Sequence, residues 1–272
     1  MDTNASLSRR DTSTRSTRKL VARGISFLVT VSAIVVWEAA VRIFDVGEFI
    51  LPAPSVIARA AYDEIPTLGT AFLTTLLEAL GGFCLAILVA VLLSVTVLRS
   101  RTFELSLVPW VMALQAIPIV AVTPIIALIV GRNTFTALLV AGIISFFPIM
   151  VNMIRGLRSV SDEGLELMHV LAASRRQVLW KLRLPASLPF VFVGLRVGVS
   201  VVIPGAMIAE WLTATQGLGQ YVINESVRFR SDNVWAGILL ATLGSLLLFW
   251  LVTLVEKRVV PWHPLDDAGE MR

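Results

Sequence analysis

Residues 134–154 read TFTALLVAGIISFFPIMVNMI, 21 consecutive positions without a charged side chain. At a rise of about 1.5 Å per residue, a helix of that length crosses the roughly 30 Å of hydrocarbon in a bilayer. Hydrocarbon offers backbone amides no water, so a run of this kind satisfies them internally as a spanning helix. Working outward, five further apolar segments predict spans at about 24–44, 70–98, 105–130, 186–211 and 234–256. The whole chain agrees: 56% of its 272 residues are hydrophobic, 15% are charged, and its mean hydropathy is +0.82, well outside the composition of soluble domains. The fold class is an all-α polytopic membrane protein with six transmembrane helices.

Lysine and arginine near span ends are retained on the cytoplasmic side. With both termini inside, the inner segments hold 17 of the 23 basic residues and the outer segments 5, with Arg196 within a span. The chain then divides into a basic cytoplasmic tail at 1–23, a transmembrane domain at 24–260 and a short cytoplasmic tail at 261–272. In the first tail Arg9, Arg10, Arg15, Arg18 and Lys19 lie among serines and threonines, a composition of disordered chain. It resembles the charged start of a signal peptide, but the long apolar run after it is the first of six spans. The pI of about 9.8 reflects topology and anionic lipid head groups, not nucleic acid. Cys84 is the only cysteine, so no disulfide forms within one chain, and it reads as a small buried apolar residue.

Span three contains Pro109, Pro118 and Pro124. Each removes a backbone donor, so the span is kinked or broken, and freed carbonyls at that depth are tolerated beside other helices or a water-filled cavity. Span three is therefore a candidate wall of a pathway. Between spans one and two, VIARAAYDE predicts a short outer helix, and 212–233, around Gly217-Leu218-Gly219, predicts a turn and another short helix outside. Deep ionisable groups cost roughly 2.5–3.5 kcal/mol each and face a bundle interior or cavity. Glu78 and Arg196 are of this kind, and an inward Arg196 could attract an anionic substrate or pair with a carboxylate of another span. Glu38 and Glu210 lie near the outer half beside Trp37 and Trp211, where interfacial anchoring is the commoner role. Gln115, Thr123 and Asn152 are polar positions within spans, more often glue between helices than ligands. Together Gln115, Pro118, Thr123, Asn152, Arg196 and Glu210 are the candidate pathway residues. His169 and His263 have no partner at metal-ligand spacing, so no metal site is expected.

The polar stretch 159–185, SVSDEGLELMHVLAASRRQVLWKLRLP, is wedged between two of these spans. Ser161 can cap a helix whose first turn carries Asp162 and Glu163, favourable at the positive end of the dipole. Apolar residues at 165, 168, 171 and 172 line one face, and Ser174-Arg175-Arg176-Gln177 has the form of a capping box. Val178, Leu179 and Leu182 continue that face until Pro185 starts span five. A chain of spanning helices gains little stability from such an insert, which points to a soluble partner.

The loop resembles the signature of binding-protein-dependent ABC importer permeases: Glu-Ala-Ala, three residues, Gly, nine residues, Ile, one residue, Leu-Pro. Here it falls on Glu166-Leu167-Met168, Ala172, Leu182 and Leu184-Pro185, with Leu167 and Met168 in place of the alanines and Ala172 in place of the glycine. The resemblance runs from about Trp37 to His263 and is carried in order by LPAPSVI, TLLEALGGF, AIPIVAVTPIIALIVG, FFPIMVN with GLRSV, RLPASLPFVFVGLRVG, IAEWLTATQGLG and PWHP. It is similar to permeases for nitrate, sulfonates, taurine and thiamin-precursor pyrimidines, with a weak lean to the pyrimidine branch. The resemblance implies a type I importer permease fold and a non-enzymatic transport subunit of a bacterial cell membrane. It also implies two ATP-hydrolysing subunits inside, a substrate-binding protein outside and a second permease copy, identical or a near relative. Glu166, Leu171, Ala172, Ser174, Arg175, Leu182, Leu184 and Pro185 are then the candidate coupling residues, Glu166 and Arg175 on the ATPase, Leu171 and Leu182 against the chain's own helices.

The chain has no glycine-rich P-loop, so ATP is expected on the partner subunits and no cofactor on this chain. An ion-coupled secondary transporter is the first alternative, and it calls for internal repeats and midplane carboxylates. A membrane-embedded enzyme, the second, calls for an acid, base or metal set at one depth.

Overall fold

The computed structural model describes residues 24–25, 28–99, 101–213 and 215–262. The tail at 1–23 and nearly all of 261–272, His263 included, lie outside them. The described residues are helical throughout, joined by short turns. The helices are α1 (28–43), α2 (Pro54–Asp63), α3 (Ile65–Arg99), α4 (Arg101–Gln115), α5 (Ile119–Val130), α6 (Thr134–Leu157), α7 (Asp162–Val170), α8 (Arg175–Val178), α9 (Leu184–Thr213), α10 (Leu218–Val227) and α11 (Ser231–Val259). Among the described residues α3, α6, the helix that ends in α9, and α11 are each long and apolar enough to cross a membrane.

The third predicted span is divided. Its halves, Leu105–Gln115 and Ile119–Val130, meet at 104°. Pro109 and Pro124 lie inside α4 and α5, whereas Pro118 sits extended as the cap before α5. Pro118 lacks an N–H and pushes the residue before it out of the helical region, so one proline of the three makes the break.

Small residues hold the centre together. Lipid tails are as apolar as leucine, so helices in a membrane gain from close backbone approach rather than from hydrophobic burial. A Cβ at Gly82 on α3 would run into the Leu138 carbonyl and the Gly142 amide of α6. Gly156, Gly194, Gly198 and Gly205 let α6 and α9 meet in the same way. At that contact the Ser145 hydroxyl lies 2.9 Å from the Ala141 carbonyl and 3.1 Å from the Gly198 carbonyl across the interface. Ile149, Met150, Val199, Val202 and Ile203 fill the core between them.

Two expectations are corrected. Cys84 is exposed on α3 rather than buried. Glu38 is not a free interfacial anchor: its carboxylate accepts the Ser55 N–H at 3.0 Å and the Ser55 hydroxyl at 2.7 Å, and Arg42 pairs with it. It thus caps α2, which starts at Pro54 and whose amide ends favour an anion. The outer helix expected at VIARAAYDE is α2, and the one expected within 212–233 is α10.

Replacing Gly82 with valine pushes α3 away from α6 and costs about 1–3 kcal/mol, read as a lowered unfolding temperature in detergent. Gly69, with nothing within 4 Å of its Cβ position, takes alanine without that loss.

Candidate functional site

The 159–185 stretch folds as a hook of two capped helices. The Ser161 hydroxyl oxygen accepts the Gly164 N–H at 3.3 Å, starting α7. Hydrogen bonds from its own backbone N–H and from the Ser161 hydroxyl hold the Glu163 carboxyl below its ordinary pKa. The far end closes with Ala172 N–H on the His169 carbonyl and Ala173 N–H on the Met168 carbonyl. That closure needs a left-handed residue, and Ala172 has φ of +49°. The signature glycine is thus a backbone requirement, and alanine meets it at a strain of roughly 1 kcal/mol. Ser174 and Gln177 then form the expected capping box, at 2.7 and 3.3 Å.

Beyond Val178 the chain does not restart at Pro185. Leu179–Arg183 forms a π-turn that runs directly into α9, making one helix from Arg175 to Thr213. Pro185 has no N–H to give the Lys181 carbonyl, and a register of i to i+5, with Leu184 N–H on the Leu179 carbonyl, absorbs the gap. Arg183 donates to the Leu157 carbonyl at 3.1 Å, tying the hook to the end of α6.

Leu182 is half-buried and lies beside Gly164 of α7. Leu171 does not pack inward as expected; it is 66% exposed, and Leu167, Val170 and Trp180 are exposed with it. Glu166, Ala172, Ser174 and Arg175 are exposed too, while Leu184 and Pro185 are half-buried where the hook enters α9. A concavity of about 530 Å³ opens beside Arg176, Trp180 and Lys181. The sequence reading passed over Trp180, whose only signal was a large aromatic between cations on a short polar helix.

The candidate pathway residues do not converge. Gln115 lines a cavity of about 740 Å³, walled otherwise by apolar side chains that include Leu85, Val89, Phe146, Phe147 and Val201. Pro118 is the bend itself. The hydroxyl of the buried Thr123 is spent on the Ile119 carbonyl, and the Asn152 amide on the Pro148 carbonyl. Arg196 forms an ion pair with Glu256 of α11 at 3.0 Å. Sequence reasoning missed Glu256 because it stands next to Lys257 and Arg258 and reads as part of a charged span end.

Glu210 is fully buried, not at an interface. The Thr75 hydroxyl of α3 donates to it at 2.6 Å, and the Gly219 N–H, from the first turn of α10, donates at 2.6 Å. Thr75 in turn accepts the Leu218 N–H at 2.8 Å. The turn needs its glycines: Gly217 has φ of +147°, and a Cβ there would run into the Glu210 carboxylate. A Cβ at Gly219 would meet the Met207 backbone.

A multi-pass helical bundle with a capped polar hook continuous with one spanning helix defines a membrane transport subunit. Residues 82–261 match the family of binding-protein-dependent transport system inner membrane components, and the chain belongs to that family. It is a permease subunit of an ABC importer. It is 31% identical over 231 residues to the formylaminopyrimidine transport permease protein ThiX of Halalkalibacterium halodurans, covering 84% of this chain and 92% of that one. It is 32% identical over 232 residues to the riboflavin transport system permease protein RibX of Chloroflexus aurantiacus, covering 85% and 87%. A solved amino acid ABC transporter superposes with a TM-score of 0.60 at 15% identity, over 72% of this chain and 96% of that one, a likeness of fold.

Changing Arg196 to glutamine removes the ion pair between α9 and the buried Glu256 and lowers stability by about 1.5–3 kcal/mol. The double variant Arg196→Gln, Glu256→Gln recovers most of the loss in the same unfolding assay.

Proposed function

We propose that this permease imports a small nitrogen heterocycle of the thiamin-precursor pyrimidine type across a bacterial cell membrane, with both termini cytoplasmic. ATP is hydrolysed by separate subunits seated on the 159–185 hook. A second permease copy and an extracytoplasmic substrate-binding protein complete the assembly. The observation that carries the coupling role is the helix unbroken from Arg175 to Thr213, which turns displacement of the hook into movement of a whole span, as alternating access demands. Glu166 and Arg175 offer charge, and Leu171 and Trp180 exposed apolar surface, to such a partner.

Two points favour the heterocycle over a sulfonate, nitrate or taurine anion. No charged side chain lines the cavity at Gln115, and Arg196 is committed to Glu256. The solutes in the names of the two relatives are both nitrogen heterocycles. Phe146 and Phe147 suit passage of a flat ring by stacking, and Gln115 supplies one hydrogen-bonding group.

The double variant Glu166→Arg, Ala172→Phe reverses the charge and overfills the positive-φ turn while leaving the spans alone. In vesicles holding the whole transporter, uptake and solute-stimulated ATPase both fall by about tenfold, a docking loss near 1.4 kcal/mol. Unchanged coupling would remove the hook from the mechanism.

A further inference from the structure

The helix that runs from Arg175 to Thr213 begins with two sides of opposite character. On one, Leu182 lies beside Gly164 of α7, and Arg183 donates to the Leu157 carbonyl at the end of α6 at 3.1 Å. On the other, Ser174, Arg176, Gln177, Trp180 and Lys181 are all exposed and line the concavity of about 530 Å³. Positions four apart share a helix face, so 176 with 180 and 177 with 181 form one surface. The chain's own helices hold the start of this helix from behind and leave that surface uncovered.

The lining consists of donors. The Arg176 guanidinium and the Lys181 ammonium form no ion pair among the described residues. Gln177 uses its amide oxygen to accept the Ser174 N–H at 2.7 Å, and the Ser174 hydroxyl oxygen accepts the Gln177 N–H at 3.3 Å. The capping box thus occupies acceptors and leaves the Gln177 side-chain N–H groups and the Ser174 O–H to donate. Among the described residues no carboxylate lines the concavity; the hook's acids, Asp162, Glu163 and Glu166, belong to α7. Two cations and two neutral donors without a competing acid suit an oxyanion such as phosphate.

Depth selects the kind of phosphate. Arg183 reaches the last turn of α6, where that span ends in Arg155 and Arg158. Trp180 precedes Arg183 by three residues, a rise of about 5 Å, and the head-group layer adds roughly 5–7 Å to each side of the hydrocarbon. Trp180 is 62% exposed, and at that level its ring meets lipid while its N–H meets head groups. The long stems of Arg176 and Lys181 let their charges settle at the same depth. The ring has no use to a soluble phosphate; it suits a phospholipid.

We propose that this surface binds the phosphate of an anionic phospholipid, with Arg176 and Lys181 on the head group and Trp180 against the glycerol and the upper acyl chain. The lipid moors the head of the long helix to the membrane surface at the π-turn of 179–183. The site rests on the proposed orientation only for which leaflet supplies the lipid. An ATPase subunit reaching round the hook to Trp180 is the rival occupant.

The complete transporter in detergent is titrated with phosphatidylglycerol or phosphatidylcholine, and the lipid retained per complex is counted by native mass spectrometry. Phosphatidylglycerol should bind about thirtyfold more tightly, two basic side chains contributing roughly fivefold each. The double variant Arg176→Gln, Lys181→Gln should lose that preference. Lys257→Gln with Arg258→Gln, which removes equal charge from the end of α11, should keep it. A wild type that retains both lipids equally overturns the proposal even if the variant does not assemble. Equal loss in both double variants reduces the effect to net charge and overturns it too. So does displacement of the lipid by millimolar glycerol phosphate, which assigns the surface to a soluble phosphate. A first double variant that binds phosphatidylglycerol as the wild type does, yet sheds its ATPase subunits, assigns the surface to the ATPase and equally overturns it. Detergent micelles have no sides, so a reversed orientation leaves these readings unchanged and the two ideas fail separately.

Discussion

The end of the bundle where α9 turns into α10 is organised around one buried carboxylate, that of Glu210. Among the described residues no cation pairs with the Glu210 carboxylate, and the chain meets its demand with the Thr75 hydroxyl and a backbone amide. The turn after α9 folds back so that the first amides of α10 point at Glu210 and at Thr75. That return requires a residue with φ far on the positive side and no Cβ, which Gly217 provides, and a second bare position at Gly219, where backbone meets backbone. A polar residue at depth here fixes the path of the chain from Gly217 into α10.

A second set of attachments runs along α9. Arg183 ties the hook to the last carbonyl of α6, Arg196 ties the middle to α11, and Glu210 ties the far end to α3 and α10. Between these points glycines let α9 lie directly on α6. The helix is thus held by discrete polar contacts and otherwise by smooth van der Waals surface. An element held in that way rocks or slides as a unit more readily than it bends. The local relief is the π-turn at 179–183, where the hydrogen-bond register is already displaced.

Four of the expected spans, the two short helices α2 and α10, both caps of the hook and the break in span three were legible in the sequence, because each follows from local chemistry. Hydropathy marks the spans, Ser161 and Ser174 with Gln177 mark helix starts, and a proline removes a donor wherever it falls. What was not legible depended on partners far apart in the chain. Arg196 shows its need for a counter-charge, but nothing near it in sequence points to Glu256, some sixty positions on. Glu210 stands beside Trp211 and so looked like an interfacial residue; only the packing of α3 and the fold-back of α10 reveal a closed site. Leu171 followed the periodicity of an apolar face, yet the chain leaves α7 at Ala172 and carries that face outward. Pro185 was read as a boundary because proline usually ends a helix, and a single π-turn carries the helix through it.

Positions of charge along α9 also bear on what can pass. A mobile anion crossing the bundle needs a cation that is not already satisfied, or backbone amides turned toward its route. Arg196 is held by Glu256. The amides at the start of α10 are taken by Glu210 and Thr75. What borders the cavity between α3, the α4–α5 bend, α6 and α9 is aliphatic and aromatic surface with one amide, Gln115. Such a wall does little to discriminate among neutral rings, and it penalises a sulfonate by the full cost of its lost hydration. Under the proposed import of a heterocycle, recognition of detail falls to the proposed substrate-binding protein, and this wall contributes exclusion by charge.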